Sequence, residues 1–530
     1  MMYLKPILSI SLLFVVFSTS YAQSAGYLDE NFGDNGVVVT NAYNKSEYAN
    51  AVALKSDGRI VIGGWISVNS DADLILAQYL EDGSLDESFS DDGLFWINFP
   101  ASDDYLNDIV VQEDGKIIFT GTTHGSDNSD IIVGRVNTDG SLDNTFSNDG
   151  MLVIDIDVYD FGRAVCLQDD GKILVAGYCQ PSSGINLVLC RLNTDGTFDN
   201  TFGSNGKIIY DVNWESEDFM NDVVVYEGNI FVSGYIFEGF SNRTPGGVAV
   251  VKFDEEGNVV SDFGDDGLAF VELDAVYQVY IAGSKIAINQ DGIYVAATRR
   301  DYDFYGDSDV TLINFLHNGY PNEEFGIHGI VYLEMVVESD AVGIALQSDG
   351  KIITAGKMYT DYESTDSFVA RFLPNGELDA DFGEYYGVAI VDVSPGDMDR
   401  FNDVCLQDDH KIVACGDADF GDVNFSIARL YSGLEVGTPE IRPDIFSGID
   451  VRNPVVAHQL EMIFHLQEAT DVEAQLFDIN GRDLGTVFRE SYEKGMCKKT
   501  VHLNTGLPQG IYIMQLTVNG ERKSYRLIVQ

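Results

Sequence analysis

The chain has 530 residues, of which 45% are hydrophobic, and its 85 acidic and 31 basic side chains give a formal net charge of −54. A field of this sign repels nucleic acid and anionic lipid, which argues against a nucleic-acid or membrane-surface binder. It suits solubility outside the cell, cationic partners or bound divalent metal, and a solvated acidic surface alone also explains it. Residues 446–530 hold 10 acidic and 9 basic side chains, so nearly all of the excess precedes them.

Residues 1–22 read as a secretory signal. Lys5 gives the positive start, residues 7–17 the apolar run, and Ser20, Tyr21 and Ala22 the small-residue cleavage site. No later stretch approaches the roughly 18 apolar residues of a membrane-spanning helix. We therefore expect an exported protein without a transmembrane segment.

Residues 23–432 repeat the phrase Leu-Asp-x-x-Phe-Gly-x-x-Gly. Its seven phenylalanines stand 56 to 62 residues apart, at Phe32, Phe89, Phe146, Phe202, Phe263, Phe325 and Phe382. A second phrase, Asp-Gly-Lys-Ile, keeps step with the first and is clearest at Asp114, Asp170 and Asp349. Repetition at this period indicates a propeller or a solenoid, because one unit cannot bury its apolar face alone.

One repeat predicts four short antiparallel strands, at 49–54, 59–65, 73–80 and 94–99, with a tight Asp-Gly hairpin after the first. Seven such repeats make a seven-bladed β-propeller. A lone strand at 37–40 precedes the first complete repeat, and the seventh repeat stops after its third strand, 424–430. We predict that the lone strand completes the last blade, since this closure removes an exposed sheet edge.

After a linker at 433–449, residues 450–530 predict a small β-sandwich-like domain. Four blocks occur in order: Arg452-Asn453-Pro454, then 474–482, 507–513 and 526–529. Together they resemble the C-terminal sorting domain of type IX secretion cargo in Bacteroidetes, although Val451 and Arg452 stand where an aromatic residue and a proline usually precede Asn-Pro. The resemblance implies contact with the type IX machinery, passage across the outer membrane, removal of this domain, and release or attachment at the cell surface.

The repeats over about 26–432 resemble the delta-60 family of bacterial surface proteins, through the Leu-Asp-x-x-Phe-Gly and Asp-Gly-Lys-Ile phrases quoted above. The resemblance implies a propeller and leaves the ligand open.

Variable loops between strands two and three and between blades are where a ligand would be recognised. Aromatic rings beside carboxylates suit sugars, since rings stack on the apolar sugar face and acids bind hydroxyls. The predicted ligand-binding residues are Trp214, Tyr302, Phe304, Tyr305 and Tyr362. Other rings occupy one repeat position and are interpreted as packing residues: Tyr48, Tyr105, Phe161 and Phe219, with Phe401 displaced by one residue.

Three inner strands begin with Asn-Asp, which places Asp108, Asp222 and Asp403 where they could face the central channel. A partial ring of carboxylates could hold calcium, which takes six to eight oxygen ligands. The alternative is that each aspartate hydrogen-bonds a neighbouring blade.

No nucleophile elbow, histidine-rich metal motif or phosphate-binding glycine loop occurs. The sequence therefore favours a secreted or outer-membrane-surface propeller that binds a glycan or protein without catalysis. The alternatives are a polysaccharide hydrolase or lyase that uses acidic residues on the variable face, and a structural surface-layer component.

The six cysteines, although they are in an exported chain, are expected to be free thiols, because their positions do not bring them into pairs. Mass spectrometry of the native protein after alkylation should detect no disulfide, and two or more native disulfides would contradict this expectation.

Overall fold

The computed structural model describes residues 25–434 apart from 69–70, 99–101, 182–183, 213–215, 239–245, 274–278, 302–307, 334–338 and 360–363. It also describes residues 450–529 apart from 453–454, 457–458, 467–469, 479–481, 493–494, 503–506, 508–509 and 519–520. The chain divides into two compact units, Met1–Val436 and Gly437–Gln530. The predicted signal at 1–22 and most of the predicted linker lie outside the described residues. Among the described residues, no helix is long and apolar enough to cross a bilayer.

The first unit is a ring of four-stranded antiparallel sheets, so the predicted all-β propeller is confirmed. The first three complete blades are β2 (Ser46–Leu54), β3 (Ile60–Val68), β4 (Asp71–Tyr79) and β5 (Leu94–Ile97); β6 (Asp103–Val111), β7 (Ile117–His124), β8 (Ser129–Val136) and β9 (Met151–Ile154); and β10 (Asp160–Leu167), β11 (Ile173–Cys179), β12 (Asn186–Leu192) and β13 (Lys207–Tyr210). The next three are β14 (Ser216–Tyr226), β15 (Asn229–Glu238), β16 (Gly246–Phe253) and β17 (Leu268–Glu272); β18 (Val279–Asn289), β19 (Gly292–Asp301), β20 (Ser308–Phe315) and β21 (Ile330–Leu333); and β22 (Ser339–Leu346), β23 (Ile352–Tyr359), β24 (Thr365–Phe372) and β25 (Val388–Val391).

The seventh blade closes the ring with strands from both ends of the unit. Its inner strands are β26 (Asp399–Leu406), β27 (Ile412–Asp419) and β28 (Val423–Leu430), and its outer strand is β1 (Val37–Thr40). Val37 pairs with Ala428 and Thr40 with Phe425, antiparallel. The predicted closure is therefore confirmed, and among the described strands of this unit it leaves no blade short of its fourth strand.

The Asp-Gly hairpins follow from backbone geometry. Gly58 adopts a φ of 86°, where a side chain would be strained, and its amide donates to the Lys55 carbonyl at 3.0 Å. The seven repeat phenylalanines are each 0 to 1% exposed and sit in the cores between blades.

A buried carboxylate organises each well-preserved repeat. Asp143 accepts from Arg135 and from Lys116, each at 2.7 Å, and Arg135 lies over the Phe146 ring, 5.0 Å from its centroid. Arg135 also donates to the Thr194 carbonyl of the next blade at 2.5 Å. The equivalent groups are Asp29 with Arg429 and Lys411, Asp199 with Arg191 and Lys172, and Asp379 with Arg371 and Lys351. The two repeated phrases of the sequence therefore meet in one ion cluster.

Five cysteines, Cys166, Cys179, Cys190, Cys405 and Cys415, are free and buried or half-buried, as predicted.

The second unit contains a three-stranded and a five-stranded sheet. Its strands are β29 (Asp450–Arg452), β30 (Val455–Val456), β31 (Gln459–Leu466), β32 (Thr470–Asp478), β33 (Asp483–Tyr492), β34 (Gly495–His502), β35 (Gly510–Val518) and β36 (Glu521–Val529). The smaller sheet has the order β29-β31-β34 and the larger β30-β36-β35-β32-β33. Only β30 and β36 pair in parallel among these described strands.

Replacing Asp143 by alanine should lower the free energy of unfolding by about 3 kcal/mol or more, because Arg135 and Lys116 lose the carboxylate that they share. Denaturant unfolding measures this. The matched control is Asp149→Ala in the same turn, where an exposed carboxylate accepts, among the described residues, only from the Met151 amide. Equal effects of the two substitutions would contradict the proposed role of the ion cluster.

Candidate functional site

The five predicted ligand-binding residues, Trp214, Tyr302, Phe304, Tyr305 and Tyr362, all lie outside the described residues. Their role stays a prediction. The described part of the same variable face consists of the strand ends that flank these loops.

Rings form a continuous contact series across blades one to four on this face. Tyr48 stacks on Trp65 with centroids 3.9 Å apart, and Phe161 on Tyr178 at 4.7 Å. The remaining neighbours in the series touch at 4.9 to 5.9 Å: Trp65 and Tyr105, Tyr105 and His124, His124 and Phe161, Tyr178 and Phe219, and Phe219 and Tyr235. The interpretation of Tyr48, Tyr105, Phe161 and Phe219 as packing residues is therefore confirmed.

Phe401 is displaced by one residue from the ring position, and it is a packing residue, as predicted. Tyr48 pairs with Trp65 across its blade, and the equivalent pair in blade seven is Arg400 with Asp417. Phe401 pairs instead with Gly416, and its ring is fully buried in the core. Each inner strand carries a β-bulge near this point, which shifts the register by one residue. In blades six and seven the aromatic position is therefore charged.

These charged positions line a pocket of about 180 Å³ where blades six, seven and one meet. Its lining residues are Tyr48, Lys357, Tyr359, Thr365, Met398, Asp399, Arg400, Asp417, Asp419 and Val423. The Lys357 ammonium lies 5.1 Å from the Tyr359 ring centroid and 3.4 Å from Asp340. Arg400 lies over the Tyr48 ring at 5.9 Å. The pocket thus combines two rings, two cations and carboxylates within one small volume.

Asp417 is a buried acid of this pocket that bonds to the neighbouring blade. Its Oδ1 accepts from the Ala49 amide of blade one at 2.9 Å, and its Oδ2 accepts from Arg400. Burial raises the pKa of Asp417 to about 6, although Arg400 opposes the shift. Both oxygens are therefore occupied by contacts that hold the pocket together.

Sequence reasoning missed Arg400, Asp417 and Lys357. A usable signal existed: Asp340 and Arg400 stand at the repeat position that holds a ring in blades one to four.

The aspartates predicted to bind calcium hydrogen-bond neighbouring blades. Asp108 accepts from the Val165 amide at 2.8 Å, Asp222 from Ile286 at 2.9 Å and Asp403 from Val52 at 3.0 Å. The Lys285 ammonium lies 3.7 Å from Asp108, and Asp222 and Asp403 act on it as well. These contacts match the alternative stated above, with a lysine supplying positive charge beside the three carboxylates. Calcium binding there stays a prediction.

Two further carboxylate groups occupy one repeat position on the variable side. They are Asp130, Asp155 and Asp160, and Asp366, Asp392 and Asp399, each with oxygens within 4.8 Å of one another. Burial, hydrogen bonds and the charges of Asp130 and Asp155 leave the pKa of Asp160 at about 6, and burial with the neighbouring acids raises that of Asp366 to about 6.

The closed circle of four-stranded sheets, the repeated ion clusters and the family comparison all define the same class of protein. The first unit is a β-propeller of repeated sequence units. Four segments match a family model described as a domain of unknown function, the DUF5122 beta-propeller: residues 55–89, 112–146, 168–202 and 347–382. No curated protein matches the chain.

Several solved structures are similar at low identity. A catalytically inactive virginiamycin B lyase from Staphylococcus aureus is 9% identical, with a TM-score of 0.41 over 74% of this chain and 98% of that one. The polysaccharide lyase Uly1 is 8% identical, with a TM-score of 0.43 over 78% of this chain and 98% of that one. The α-L-arabinofuranosidase Arb93A from Fusarium graminearum is 9% identical, with a TM-score of 0.38 over 78% of this chain and 98% of that one. No activity of this chain follows from these likenesses.

The buried acids predict an unusual pH dependence of stability. Asp160, Asp366 and Asp417 have folded pKa values of about 6, above the usual 3.8, so stability falls as pH rises from about 4 through 6. Asp29 and Asp199 act oppositely: burial alone would raise their pKa, but hydrogen bonds and the nearby arginines hold it at about 2, so stability falls as pH drops from about 4 towards 2.

We expect the thermal midpoint to be highest near pH 4 to 5. Measurement at high ionic strength screens the general surface charge and isolates the buried groups. Asp160→Asn should flatten the slope between about pH 4 and 7, because it removes one titrating group. A midpoint that is highest above pH 7 would contradict the assignment.

Proposed function

We propose that the protein is a secreted or cell-surface β-propeller that binds a glycan through its variable face without cleaving it. The observation that carries the proposal is the pocket of blades six, seven and one, with the Tyr359 ring beside Arg400, Lys357 and Asp417. We further propose export through the type IX machinery, with residues 450–530 as the sorting domain, on the motif resemblance described above.

The chemistry of the pocket suits a sugar. A ring that is half exposed can stack on the apolar face of a pyranose, and amine and guanidinium groups donate to its hydroxyl oxygens. Both cations already have carboxylate partners, and the described lining carries three carboxylates to two cations, so the pocket has no unpaired cation to attract an anionic ligand. A protein ligand, the other half of the sequence-based expectation, would need a larger contact area than this pocket alone offers, because stable protein interfaces bury roughly 800 Å² on each partner.

Binding is favoured over hydrolysis by the state of Asp417. Its pKa of about 6 would suit a general acid, but both of its oxygens accept hydrogen bonds from the fold. Asp419 also lines the pocket, so a hydrolase or lyase that uses these acids is the second candidate.

Tyr359→Ala combined with Arg400→Ala should reduce retention on the bound polysaccharide by about tenfold or more, because the stacking ring and the hydroxyl donor are both lost. The assay is a pull-down of the full chain on insoluble and immobilised polysaccharides, in calcium and in chelator. Tyr385→Ala is the matched control, since Tyr385 is exposed in the phenylalanine turn on the opposite face.

Retention by the wild type and the control, with loss in the double variant, supports the proposal. Soluble reducing ends or unsaturated products would establish the second candidate instead. Failure of the wild type to bind any polysaccharide would contradict glycan binding.

A further inference from the structure

A cavity of about 580 Å³ lies at the opposite face of the ring, between the hairpins of blades seven, one and two. Its lining residues are Leu54, Lys55, Ser56, Asp57, Gly58, Glu81, Val111, Gln112, Glu113, Leu406, Gln407, Asp408 and Asp409. This volume is typical of small-ligand sites, which range from roughly 300 to 1,000 Å³. The hairpins of this face are repetitive, so the sequence pattern predicted no site here.

Lys55 breaks the repetition. Glutamine occupies its repeat position in other blades, as Gln112, Gln168, Gln347 and Gln407. Lys55 is 8% exposed, yet among the described residues its ammonium has no ion pair within 4 Å and no hydrogen bond; it lies 5.6 Å from the Phe89 ring centroid, and the carboxylates of Asp57 and Asp86 act on it only from a greater distance. Lysines whose side chains are this buried are usually paired, so the Lys55 ammonium is a donor at the cavity wall that a ligand can reach.

Two unsatisfied acceptors line the same cavity. Gln407 is 8% exposed, and its buried Oε1 has no hydrogen-bond donor among the described residues. The buried Oε1 of Gln112, on the other side of Lys55, also lacks a donor in the described part of the chain; the same is true of Gln347 outside the cavity, so only the two glutamines that line the cavity can meet a ligand there. A buried polar atom without a partner costs about 1 to 3 kcal/mol, which a bound ligand would recover.

The remaining lining defines the chemistry of the ligand. Leu54, Val111 and Leu406 end the three inner strands and supply apolar surface. The rim carries five carboxylates: Asp57, Glu81, Glu113, Asp408 and Asp409. They disfavour an anion, and the Lys55 ammonium calls for a hydrogen-bond acceptor, which an ammonium or guanidinium ligand does not offer. Hydroxyl groups fit best, because each can accept from Lys55 and donate to a glutamine oxygen or a carboxylate.

We propose that this cavity is a second binding site, for a neutral polyhydroxylated ligand of mono- or disaccharide size, with Lys55 as its donor and Gln112 and Gln407 as its acceptors. The ligand lies across the hairpin ends of three blades, including the pair at which the ring closes. This site is independent of the variable-face pocket.

The test is saturation-transfer NMR and calorimetry on the full chain, with cellobiose, maltose, lactose and xylobiose as neutral probes, and glucuronate and inorganic phosphate as anions. Lys55→Met keeps the aliphatic stem over Phe89 and removes the donor. Lys55→Gln restores the residue of the other repeats, so it should fold. Each variant should weaken binding of a neutral probe about tenfold or more.

Gln407→Leu should weaken binding similarly, and Gln347→Leu, at the same repeat position in blade six outside the cavity, should leave it unchanged. The variable-face variant Tyr359→Ala with Arg400→Ala should also leave it unchanged, which separates the two sites. The proposal is overturned if no neutral probe binds, if Lys55→Met binds as the wild type does, or if only the anions bind.

Discussion

The ring depends on one buried carboxylate in each well-preserved repeat. Asp143 joins the phenylalanine turn to Arg135 of the third strand and to Lys116 of the second, so three parts of a blade share one charge cluster. Burial alone would raise the pKa of Asp143, but hydrogen bonds from Lys116 and Thr145 and the charge of Arg135 hold it well below its usual value. Because Arg135 also donates to the next blade, the same cluster sets the packing between blades.

The central channel supplies a second set of contacts between blades. Asn107 and Asn402 donate to the next blade's carbonyls, Gly162 and Ala49, each at 2.7 Å, and the aspartate after each asparagine accepts an amide from that blade. Blade seven is bound to blade one by the same pair of interactions as blade two to blade three. The ring therefore closes through ordinary repeat contacts and through the shared strand β1.

Functional chemistry collects where the repeats depart from their own pattern. Lys55 stands in place of a glutamine, and Arg400 stands in place of a ring. In both places, blade one meets blade seven, the junction of the two ends of the propeller. In a repeat protein, the equivalent positions of different blades can be compared with one another. A residue that differs from its equivalents is not required by the architecture.

The sequence by itself determined the blade number, the phenylalanine core and the closing strand Val37–Thr40, because turn geometry and core burial are local requirements repeated in every unit. It placed Phe401 one residue away from the ring position, but it did not show that Arg400 holds that position in blade seven. Nor could it bring Tyr48 to Arg400, or Lys55 to Gln407. These residues come from opposite ends of the propeller, and they meet only because the ring closes.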